Sequence, residues 1–323
     1  MKAAVYHEYG LGDVVHIEEV EKPVPTDDEV LIRVRAASLN PLDVGLMKGK
    51  PHTFRLFFGL SKPRLTRPGV DVAGEVEAVG AKVTRFKVGD SVFGSCRGAF
   101  AEYACASEAK LAIKPDNVTF EEAASVPVAG LTALQGLRDK GCVQRGQKVL
   151  VNSAAGGVGT FAVQIARWMS AKVTGACSTR NVELVRAIGA DHVIDYTRED
   201  FTKGTERYDV IFDCYVNRSL TAYRRVLKPN GILVMVGGPS RRWFFQILAP
   251  LMQALLLALF VSQRFVTFIA KARQEDLDVL RELTGTGKVK PVIDRCYRLG
   301  DAHEAIRYLD ARHARGKVVI SMQ

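Results

Sequence analysis

The stretch KVLVNSAAGGVG, residues 148–159, decides the fold because it joins a strand to a helix through a turn of small residues. Residues 148–152 are a short β-branched and apolar run, and residues 158–169 have the apolar spacing of a helix. Small side chains at such a bend allow an anion to approach the backbone amides, and the helix N-terminus adds partial positive charge. The stretch therefore predicts a phosphate cradle between a strand and a helix.

The sequence around this turn repeats the alternation of apolar strand and amphipathic helix. It continues through residues 172–177, 182–188, 192–194, 209–213, 220–227 and 232–236. Near-continuous apolar strands separated by helices are typical of a parallel sheet covered on both faces, so we expect a doubly wound α/β domain. The spacing Ala154, Gly156, Gly159 matches the dinucleotide fingerprint with alanine at its first position. A glycine-rich turn can also serve helix-to-strand packing alone, and that alternative stays open.

The end of the second strand indicates which dinucleotide is bound. Cys177 is followed by Ser178, Thr179 and Arg180, and no acidic residue occurs before Glu183. An NAD site carries a carboxylate here for the ribose hydroxyls, whereas an NADP site offers a hydroxyl and a cation to the extra phosphate. The sequence therefore predicts NADPH. Ser178 and Thr179 can also cap the next helix, which is compatible because a cap and a phosphate share the same N–H donors.

Composition and charge limit the remaining possibilities. The chain has 323 residues, 47% hydrophobic and 25% charged, and residues 1–127 are short apolar runs separated by Gly, Pro and Asp turns. The net charge of +10 suits a phosphate-bearing cofactor, a membrane surface or nucleic acid. Six cysteines lack metal or dithiol spacing and are expected to be reduced and mostly buried thiols. Because residues 1–5 lack signal-peptide features, we expect a cytoplasmic protein, possibly peripheral to a membrane.

Motifs along the whole chain resemble one protein family. The sequence is similar to the zinc-free quinone oxidoreductase branch of the medium-chain dehydrogenase/reductase superfamily, which includes NADPH-dependent alkenal and enone reductases and chloroplast-envelope quinone oxidoreductase homologues. The matching stretches are AASLNPLD (36–43), PGVDVAGEVEAVG (68–80), VGDSVF (88–93), GAFAEY (98–103), AGLTA (129–133), NSAAGGVG (152–159) and GADHVIDY (189–196).

The resemblance implies a GroES-like, mainly β catalytic domain around a central Rossmann domain. The expected division is 1–127 for the first part of the catalytic domain, 128–270 for the NADP-binding domain and 271–323 for the segment that completes the catalytic domain. In the family the sheet often pairs across a dimer through the strand that corresponds to residues 264–270, so the resemblance implies a homodimer. By resemblance, the cofactor-binding residues are Asn40 near the nicotinamide, Thr132 near the carboxamide or pyrophosphate, Ala155, Gly156, Gly157 and Val158 in the cradle, Ser178, Arg180 and Tyr196 around the 2′-phosphate, and Gly237.

The sequence departs from the zinc alcohol dehydrogenases of the same superfamily at the positions of their metal ligands. Those relatives carry a cysteine where Ser38 stands and a His-Glu pair where Val70 and Asp71 stand, so ligands for a catalytic zinc are missing. Without a Lewis acid to stabilise an alkoxide, oxidation of simple alcohols is disfavoured.

The implied reaction is hydride transfer from NADPH to the activated C=C bond of an α,β-unsaturated carbonyl, or to a quinone, without a metal. The enolate charge could be met by an amide donor such as Asn40, and Tyr103 is a candidate proton relay. Tyr103 can equally be a packed aromatic residue that closes the turn at 98–104. Two alternatives remain: a quinone oxidoreductase proper, or a catalytically weak, membrane-associated dinucleotide-binding protein.

Two segments have unusual composition. Residues 243–263 carry no charge, and we expect a helix that gives the substrate pocket an apolar wall, or one that makes peripheral membrane contact through Trp243 to Phe260. A bilayer span is disfavoured by Pro250 and by the flanking strands, which belong to one sheet. Residues 48–67 interleave aromatic and basic residues. Nucleic-acid binding is unlikely there, since such a loop usually buries its aromatic rings and leaves its cations in solvent.

Overall fold

The computed structural model describes residues 1–50, 52, 54–236 and 262–322. Within these ranges the chain forms two compact units, residues 1–131 with 271–323 and residues 132–270. The sequence predicts boundaries after residues 127 and 270, whereas the compact units divide after residues 131 and 270. Both units combine sheets with helices, so the α/β class is confirmed.

The strands and helices are numbered in chain order over the described residues. The strands are β1 (Lys2–Val5), β2 (His16–Glu19), β3 (Glu29–Ser38), β4 (Asp71–Val79), β5 (Ser91–Ser95), β6 (Tyr103–Ser107), β7 (Leu111–Ile113), β8 (Lys148–Asn152), β9 (Lys172–Cys177), β10 (His192–Asp195), β11 (Tyr208–Asp213), β12 (Leu227–Met235), β13 (Arg264–Thr267), β14 (Ile293–Arg298) and β15 (Lys317–Ser321). The helices are α1 (Pro41–Lys48), α2 (Phe54–Phe58), α3 (Phe120–Ala124), α4 (Pro127–Gln135), continued by a π-helical turn (Gly136–Lys140), α5 (Gly157–Trp168), α6 (Val182–Ala187), α7 (Leu220–Val226), α8 (Gln274–Gly285) and α9 (Ala302–Asp310).

The first unit is built on a seven-stranded sheet in which the C-terminal strand lies beside β3. The order is β14-β15-β3-β4-β5-β7, and β6 also pairs with β3. In the antiparallel ladder between β15 and β3, Val319 is opposite Ser38, and the backbone N–H of Leu39 donates to the carbonyl of Val318. Because partners in an antiparallel ladder move in opposite directions, Lys317 lies level with Asn40. This register brings a residue near the C-terminus to the segment after β3.

The second unit is a parallel sheet in the order β10-β9-β8-β11-β12-β13. Three central residues of β8, Val149, Leu150 and Val151, are fully buried, as the sequence predicts for a sheet covered on both faces. After β8 the chain builds β9 and β10 on one side and then returns to place β11 on the other. Such a reversal leaves a crevice at the carboxyl ends of the two central strands, where doubly wound sheets bind ligands. The doubly wound prediction is confirmed.

Two smaller predictions are wrong. In the loop at 48–67, Phe57 is 75% exposed and Phe58 is half-buried, so these described aromatic rings are not buried, and Leu56 and Leu60 are 66% and 70% exposed. The cysteines are not mostly buried either: Cys96 and Cys177 are buried, whereas Cys142 and Cys296 are exposed. All six cysteines are free, in agreement with the expectation of reduced thiols.

Across the part of the chain that the structure describes, no helix is long and apolar enough to cross a membrane. The uncharged stretch at 243–260, for which the sequence predicts an apolar wall or a membrane contact, lies outside the described residues.

Candidate active site

The turn at residues 153–156, here called the dinucleotide turn, has the geometry that the fingerprint predicts. The turn follows β8, and α5 begins directly after it with Gly156 as N-cap in an extended conformation. Ser153 adopts a left-handed conformation with φ of 62°, and its carbonyl accepts a hydrogen bond of 3.1 Å from the N–H of Gly156. In the first helical turn the N–H groups of Gly157 and Val158 have no intrahelical acceptor. The turn therefore presents amide donors at a helix N-terminus, as an anion requires.

The two fingerprint glycines meet different surroundings. A Cβ atom on Gly159 would lie 2.1 Å from the carbonyl oxygen of Ser153, so backbone contact requires glycine there. A Cβ atom on Gly156 would lie 3.3 Å from the Oγ atom of Ser153, which is tight but close to ordinary contact. Gly159 therefore serves helix-to-turn packing, whereas packing alone does not account for Gly156. Gly156 lies beside amide donors, and no backbone contact requires it to be glycine. A small residue is expected at such a position if a ligand occupies the space next to it.

The loop that follows β9 (residues 178–181) carries the residues predicted to recognise the 2′-phosphate. Ser178 is half-buried and its Oγ accepts a hydrogen bond of 3.2 Å from the side chain of Asn181. Arg180 is exposed, and the Tyr196 side chain is 46% exposed. The N–H of Tyr196 donates to the carbonyl of Cys177, which brings the end of β10 beside this loop. The structure therefore assembles Ser178, Arg180 and Tyr196 around the ends of two neighbouring strands.

A carboxylate that the sequence analysis missed lies at the same edge. Asp195, the last residue of β10, is level with Cys177 in the parallel ladder. Its carboxylate accepts hydrogen bonds from the hydroxyls of Thr179 at 2.6 Å and Thr197 at 2.7 Å. These hydrogen bonds, that of Thr179 first, lower the pKa of Asp195. The Asp195 carboxylate also lies 3.5 Å from the Arg198 guanidinium, so its charge is shared among two threonine hydroxyls and a neighbouring cation.

A second polar network lies at the carboxyl ends of β8 and β11, beside the dinucleotide turn. The Asp213 carboxylate is fully buried and accepts hydrogen bonds from the Asn152 side chain at 2.8 Å and from the Tyr223 hydroxyl. It also accepts the N–H groups of Tyr215 and Val216 at 3.0 and 3.1 Å. Burial raises the pKa of Asp213. These hydrogen bonds hold the backbone after β11 next to the dinucleotide turn. Asp213 is therefore a structural residue at the carboxyl ends of β8 and β11.

In the first unit a buried polar cluster surrounds Asn40. This Asn40 cluster consists of Ser38, Asn40, Asp71 and Lys317, and each of these residues is at most 3% exposed. The Oδ2 atom of Asp71 accepts hydrogen bonds from the Ser38 hydroxyl at 2.8 Å, the Asn40 amide at 2.9 Å and the Lys317 ammonium at 3.3 Å. Its Oδ1 atom accepts the N–H of Val128 at 2.9 Å. The Asp71 charge is therefore fully hydrogen-bonded and paired with a cation.

Lys317 contacts Asn40 as well as Asp71. Its Nζ atom lies 2.7 Å from Oδ1 of Asn40 and 3.1 Å from the carbonyl oxygen of Leu39. An ammonium group has only donors, so the atom of Asn40 that faces Lys317 is the oxygen and the atom that faces Asp71 is the nitrogen. The amide of Asn40 is thereby held in one orientation.

The chemistry of the Asn40 cluster does not suit a zinc ion. Zinc prefers thiolate, imidazole and carboxylate ligands around a tetrahedral centre. Of these types the cluster offers only the Asp71 carboxylate, and the Lys317 ammonium already neutralises it. Ser38 and Val70, which stand at the other two ligand positions implied by the resemblance, supply a hydroxyl and an aliphatic side chain. The residues present therefore do not fit a catalytic zinc ion.

Asp43 supports the same segment through the backbone. Its carboxylate accepts the N–H of Asn40 at 2.8 Å and that of Gly69 at 3.2 Å, and so fixes the start of α1. Burial raises the pKa of Asp43 to about 7, against the opposing effect of its hydrogen bond from Asn40. The nearby charge of Asp71 acts in the same direction as burial, and Lys317 acts against it.

This shift gives a prediction for stability. A carboxyl whose pKa is raised on folding keeps its proton in the folded state where the unfolded chain has released it. The contribution of Asp43 to the free energy of unfolding should therefore fall as the pH rises from about 4 to about 7 and stay level above that. Urea unfolding of the wild type and of Asp43→Asn across this range provides the measurement, and a difference between the two that is independent of pH would contradict it.

The remaining predicted residues lie elsewhere. Tyr103 is opposite Arg33 on β3, seven residues before Asn40, and this separation corresponds to about 20 Å along an extended strand. Its ring lies under the Lys22 ammonium, 3.9 Å from the ring centre. The structure does not bring Tyr103 to the Asn40 cluster, and its proton-relay role stays a prediction. Thr132 is half-buried on α4, and Gly237 lies outside the described residues.

Lys317 and Asp213, which lie in two buried polar networks, had no signal in the sequence. Lys317 starts an apolar strand at the end of the chain, where a lysine is usually solvent-exposed, and only the pairing with β3 reveals its partners. Asp213 ends an apolar strand, and its position beside Asn152 depends on which strands are neighbours. The one available clue was that Asp71 and Asn152 stand within motifs that the resemblance had already singled out.

Comparisons with known proteins agree with this architecture. Residues 26–116 match the family described as "Alcohol dehydrogenase GroES-like domain", and residues 188–320 match the family described as "Zinc-binding dehydrogenase". The chain is 34% identical to the "Chloroplast envelope quinone oxidoreductase homolog" of Arabidopsis thaliana, over 99% of this chain and 98% of that protein. It is 35% identical to the "NADPH-dependent alkenal/one oxidoreductase, chloroplastic" of the same organism, over 99% of this chain and 79% of that protein.

The structure of the quinone oxidoreductase from Coxiella burnetii superposes with a TM-score of 0.87 at 30% identity, covering 100% of this chain and 99% of that one. Similarity of this extent covers both units, including the dinucleotide turn and the Asn40 cluster. The chain therefore belongs to the medium-chain dehydrogenase/reductase superfamily, among the quinone oxidoreductase and alkenal/one oxidoreductase homologues.

Proposed function

We propose that this protein is an NADPH-dependent reductase that transfers a hydride to the activated C=C bond of an α,β-unsaturated carbonyl, without a metal. The observation that carries the proposal is the Asn40 amide, a neutral donor held between an ammonium and a carboxylate. Reduction of an enone needs a hydrogen-bond donor for the developing enolate oxygen and no strong acid. Alcohol oxidation would need a Lewis acid, for which the Asn40 cluster has no suitable ligands.

Each part of the proposed reaction has its own residues. When bound, NADPH would supply the hydride to the β-carbon, negative charge would move to the carbonyl oxygen, and a proton from solvent would complete the reduction at the α-carbon. The Nδ2–H of Asn40 donates to that oxygen, and removal of one such donor typically costs about 10²–10³ in kcat. The amides of Gly157 and Val158 would bind the pyrophosphate beside the small residues Ala155 and Gly156, and Ser178, Arg180 and Tyr196 would surround the 2′-phosphate. Thr132 and Gly237 complete the proposed cofactor contacts.

A quinone is the second candidate acceptor, because two of the relatives are named as quinone oxidoreductases. A cofactor titration followed by a panel of enones and quinones, with NADPH consumption as the readout, tests both proposals. Faster turnover of a medium-chain enone than of a simple quinone supports the first. Tight NADPH binding without turnover of any substrate would instead favour a catalytically weak dinucleotide-binding protein.

Arg180→Ala should weaken NADPH binding far more than NADH binding. The guanidinium is the exposed cation of the β9 loop, and a hydrogen bond to a charged group contributes about 1.5–3 kcal/mol. Titration of both cofactors against the wild type and the variant measures the difference. Lys172→Ala, which removes an exposed cation from the opposite end of β9, is the control. Equal losses for NADPH and NADH would show that Arg180 does not recognise the 2′-phosphate.

Activity should survive metal removal. Since the proposed chemistry uses the Asn40 donor in place of a Lewis acid, prolonged dialysis against a chelator should leave kcat unchanged, and elemental analysis should find no stoichiometric zinc. Loss of activity on dialysis that zinc restores would overturn the metal-free mechanism.

The partners in the proposal are the apolar enone, enal or quinone and a second copy of the chain. Within the described part of the second sheet, β13 is the edge strand, and its Arg264 and Thr267 side chains are exposed. An edge strand offers unpaired backbone groups to a partner, which supports a homodimer that pairs through β13. Light scattering after size exclusion should give twice the chain mass of 35.4 kDa, and the monomer mass would contradict the dimer.

Peripheral membrane contact through Trp243 to Phe260 is the remaining part of the proposal, and it rests on the sequence of that segment alone. An apolar helix flanked by arginines can lie in the surface of a bilayer with anionic lipids. Flotation with anionic vesicles at low salt is the test. Complete failure to float with the vesicles would remove membrane contact and leave a cytoplasmic protein as the proposal.

A further inference from the structure

The Lys317 ammonium is a buried cation with every donor in use. Its three N–H groups face Oδ1 of Asn40, Oδ2 of Asp71 and the carbonyl oxygen of Leu39 at 2.7, 3.3 and 3.1 Å, and the residue is 3% exposed. An ammonium with three acceptors in place has no donor left for a substrate. Lys317 is therefore not positioned to protonate or bind the substrate directly.

Stabilisation of the fold is a weak explanation for this buried pair. Replacement of a buried ion pair by well-packed apolar side chains is often neutral or stabilising, because desolvation offsets the attraction between the charges. Lys317 and Asp71 come from strands 246 residues apart, and the register between β15 and β3 brings them together at Asn40. This pair also contacts the Asn40 amide, because Lys317 donates to its oxygen and Asp71 accepts from its nitrogen.

The contacts with Lys317 and Asp71 determine which hydrogen-bonding groups of the Asn40 amide remain available. Its Oδ1 atom accepts from Lys317, and one Nδ2–H donates to Asp71 at 2.9 Å. The second Nδ2–H has only a long contact of 3.5 Å with the carbonyl of Ser38. If the amide turned by half a revolution, its NH₂ group would face the Lys317 ammonium and its oxygen would face the Asp71 carboxylate, so both contacts would become repulsive. One orientation is thus strongly preferred, with one weakly used donor.

We propose that Lys317 is a positioning residue that, together with Asp71, holds the Asn40 amide so that its second N–H meets the substrate oxygen. In this chain the ammonium supplies the buried positive charge at a place where zinc-bearing members of the superfamily hold their metal. It does so through Asn40 rather than by contact with the substrate. This inference rests on the proposed function.

A double-mutant cycle on kcat with an enone tests the role. Asn40→Ala and Lys317→Met should each lower kcat by about 100-fold, the loss typical of one transition-state donor, with the Kd for NADPH within about twofold of the wild type. The double variant should be no slower than Asn40→Ala, because Lys317 acts only through Asn40. Multiplication of the two losses would overturn the proposal.

A second variant separates positioning from simple charge balance. Lys317→Met leaves the buried Asp71 anion unpaired, which destabilises the fold, and Asp71→Asn in the same chain removes that charge. The Lys317→Met/Asp71→Asn variant should recover the midpoint of urea unfolding but not kcat. Recovery of both would mean that Lys317 only balances Asp71. Lys228→Met, which breaks the partly exposed pair with Asp209 in the second unit, is the matched control and should keep kcat.

A readout without substrate completes the test. In the cofactor-free protein labelled with ¹⁵N-asparagine, the side-chain proton that Asn40 donates to Asp71 should exchange slowly with solvent, and Lys317→Met should accelerate that exchange. If the exchange rate were the same in Lys317→Met and in the wild type, Lys317 would not hold the Asn40 amide in place. If the wild type turns over an enone and Asn40→Ala is equally active, the proposed role of Lys317 is wrong, but the reductase proposal stands. Absence of wild-type turnover would instead be a failure of the proposed function.

Discussion

Asn40→Asp is expected to lower kcat for an enone by about 10³-fold at neutral pH, the upper end of the loss for a single donor. The substitution keeps the size of the side chain but replaces the proposed donor to the substrate with an oxygen. The new carboxylate would also lie beside Asp71, whose Oδ2 atom is 2.9 Å from the Asn40 nitrogen. An enolate that develops opposite this anion is repelled instead of stabilised.

The pH dependence of this variant distinguishes charge from shape. Protonation of the introduced carboxylate would restore a donor and remove a charge, so part of the lost kcat should return as the pH is lowered, whereas Asn40→Leu should stay slow at every pH. Steady-state rates at saturating NADPH provide the measurement. A loss of less than tenfold at neutral pH would show that Asn40 does not face the reacting oxygen.

Local patterns in the sequence were sufficient for the dinucleotide turn. A strand, a run of small residues and a helix follow one another within residues 148–169, so their relation is fixed by chain geometry over a few residues. The same applies to the loop after β9, where Ser178 and Arg180 are near neighbours in the chain. In both places the structure has the strand and the following turn that the sequence predicts, and the cofactor-binding roles of these residues stay predictions.

The Asn40 cluster could be predicted only in part. Asn40 and Asp71 lie in motifs that drew attention to them, but their partner Lys317 arrives from the other end of the chain. No local pattern distinguishes a lysine that starts an exposed strand from one buried against β3, because the difference lies in strand pairing. Asp195 escaped notice for the same reason: it adjoins the loop after β9 through a parallel ladder, not through the chain.

The dinucleotide turn and the Asn40 cluster use fixed donors in different ways. At the turn, backbone amides are presented by a helix N-terminus and need no side chain, so small residues suffice. At Asn40 the proposed donor is a single side-chain amide, which Lys317 and Asp71 contact directly and Ser38 supports through Asp71. A loss at the turn should therefore appear in cofactor affinity, and a loss at the cluster in kcat.

Gly159→Ala should remove NADPH binding and lower the free energy of unfolding by about 3 kcal/mol, the upper end of the range for overpacking. The added Cβ would lie 2.1 Å from the Ser153 carbonyl oxygen and 2.9 Å from the carbonyl carbon of Ala154. Both neighbours are backbone atoms of the turn itself, and Ser153 is already in a left-handed conformation. The helix start can relieve the overlap only by moving away from the turn, which also displaces the amides of the cradle.

Urea unfolding and a fluorescence titration with NADPH measure the two effects separately. Gly204→Ala is a suitable control in the same unit, because its Cβ would lie 3.6 Å from the nearest atom, the Phe201 carbonyl oxygen, and should leave both quantities near those of the wild type. Gly156→Ala should keep most of the stability, since its Cβ would make contacts of 3.3–3.4 Å with Ser153 only. If Gly159→Ala bound NADPH with wild-type affinity, the turn at 153–156 would not be the site that holds the pyrophosphate.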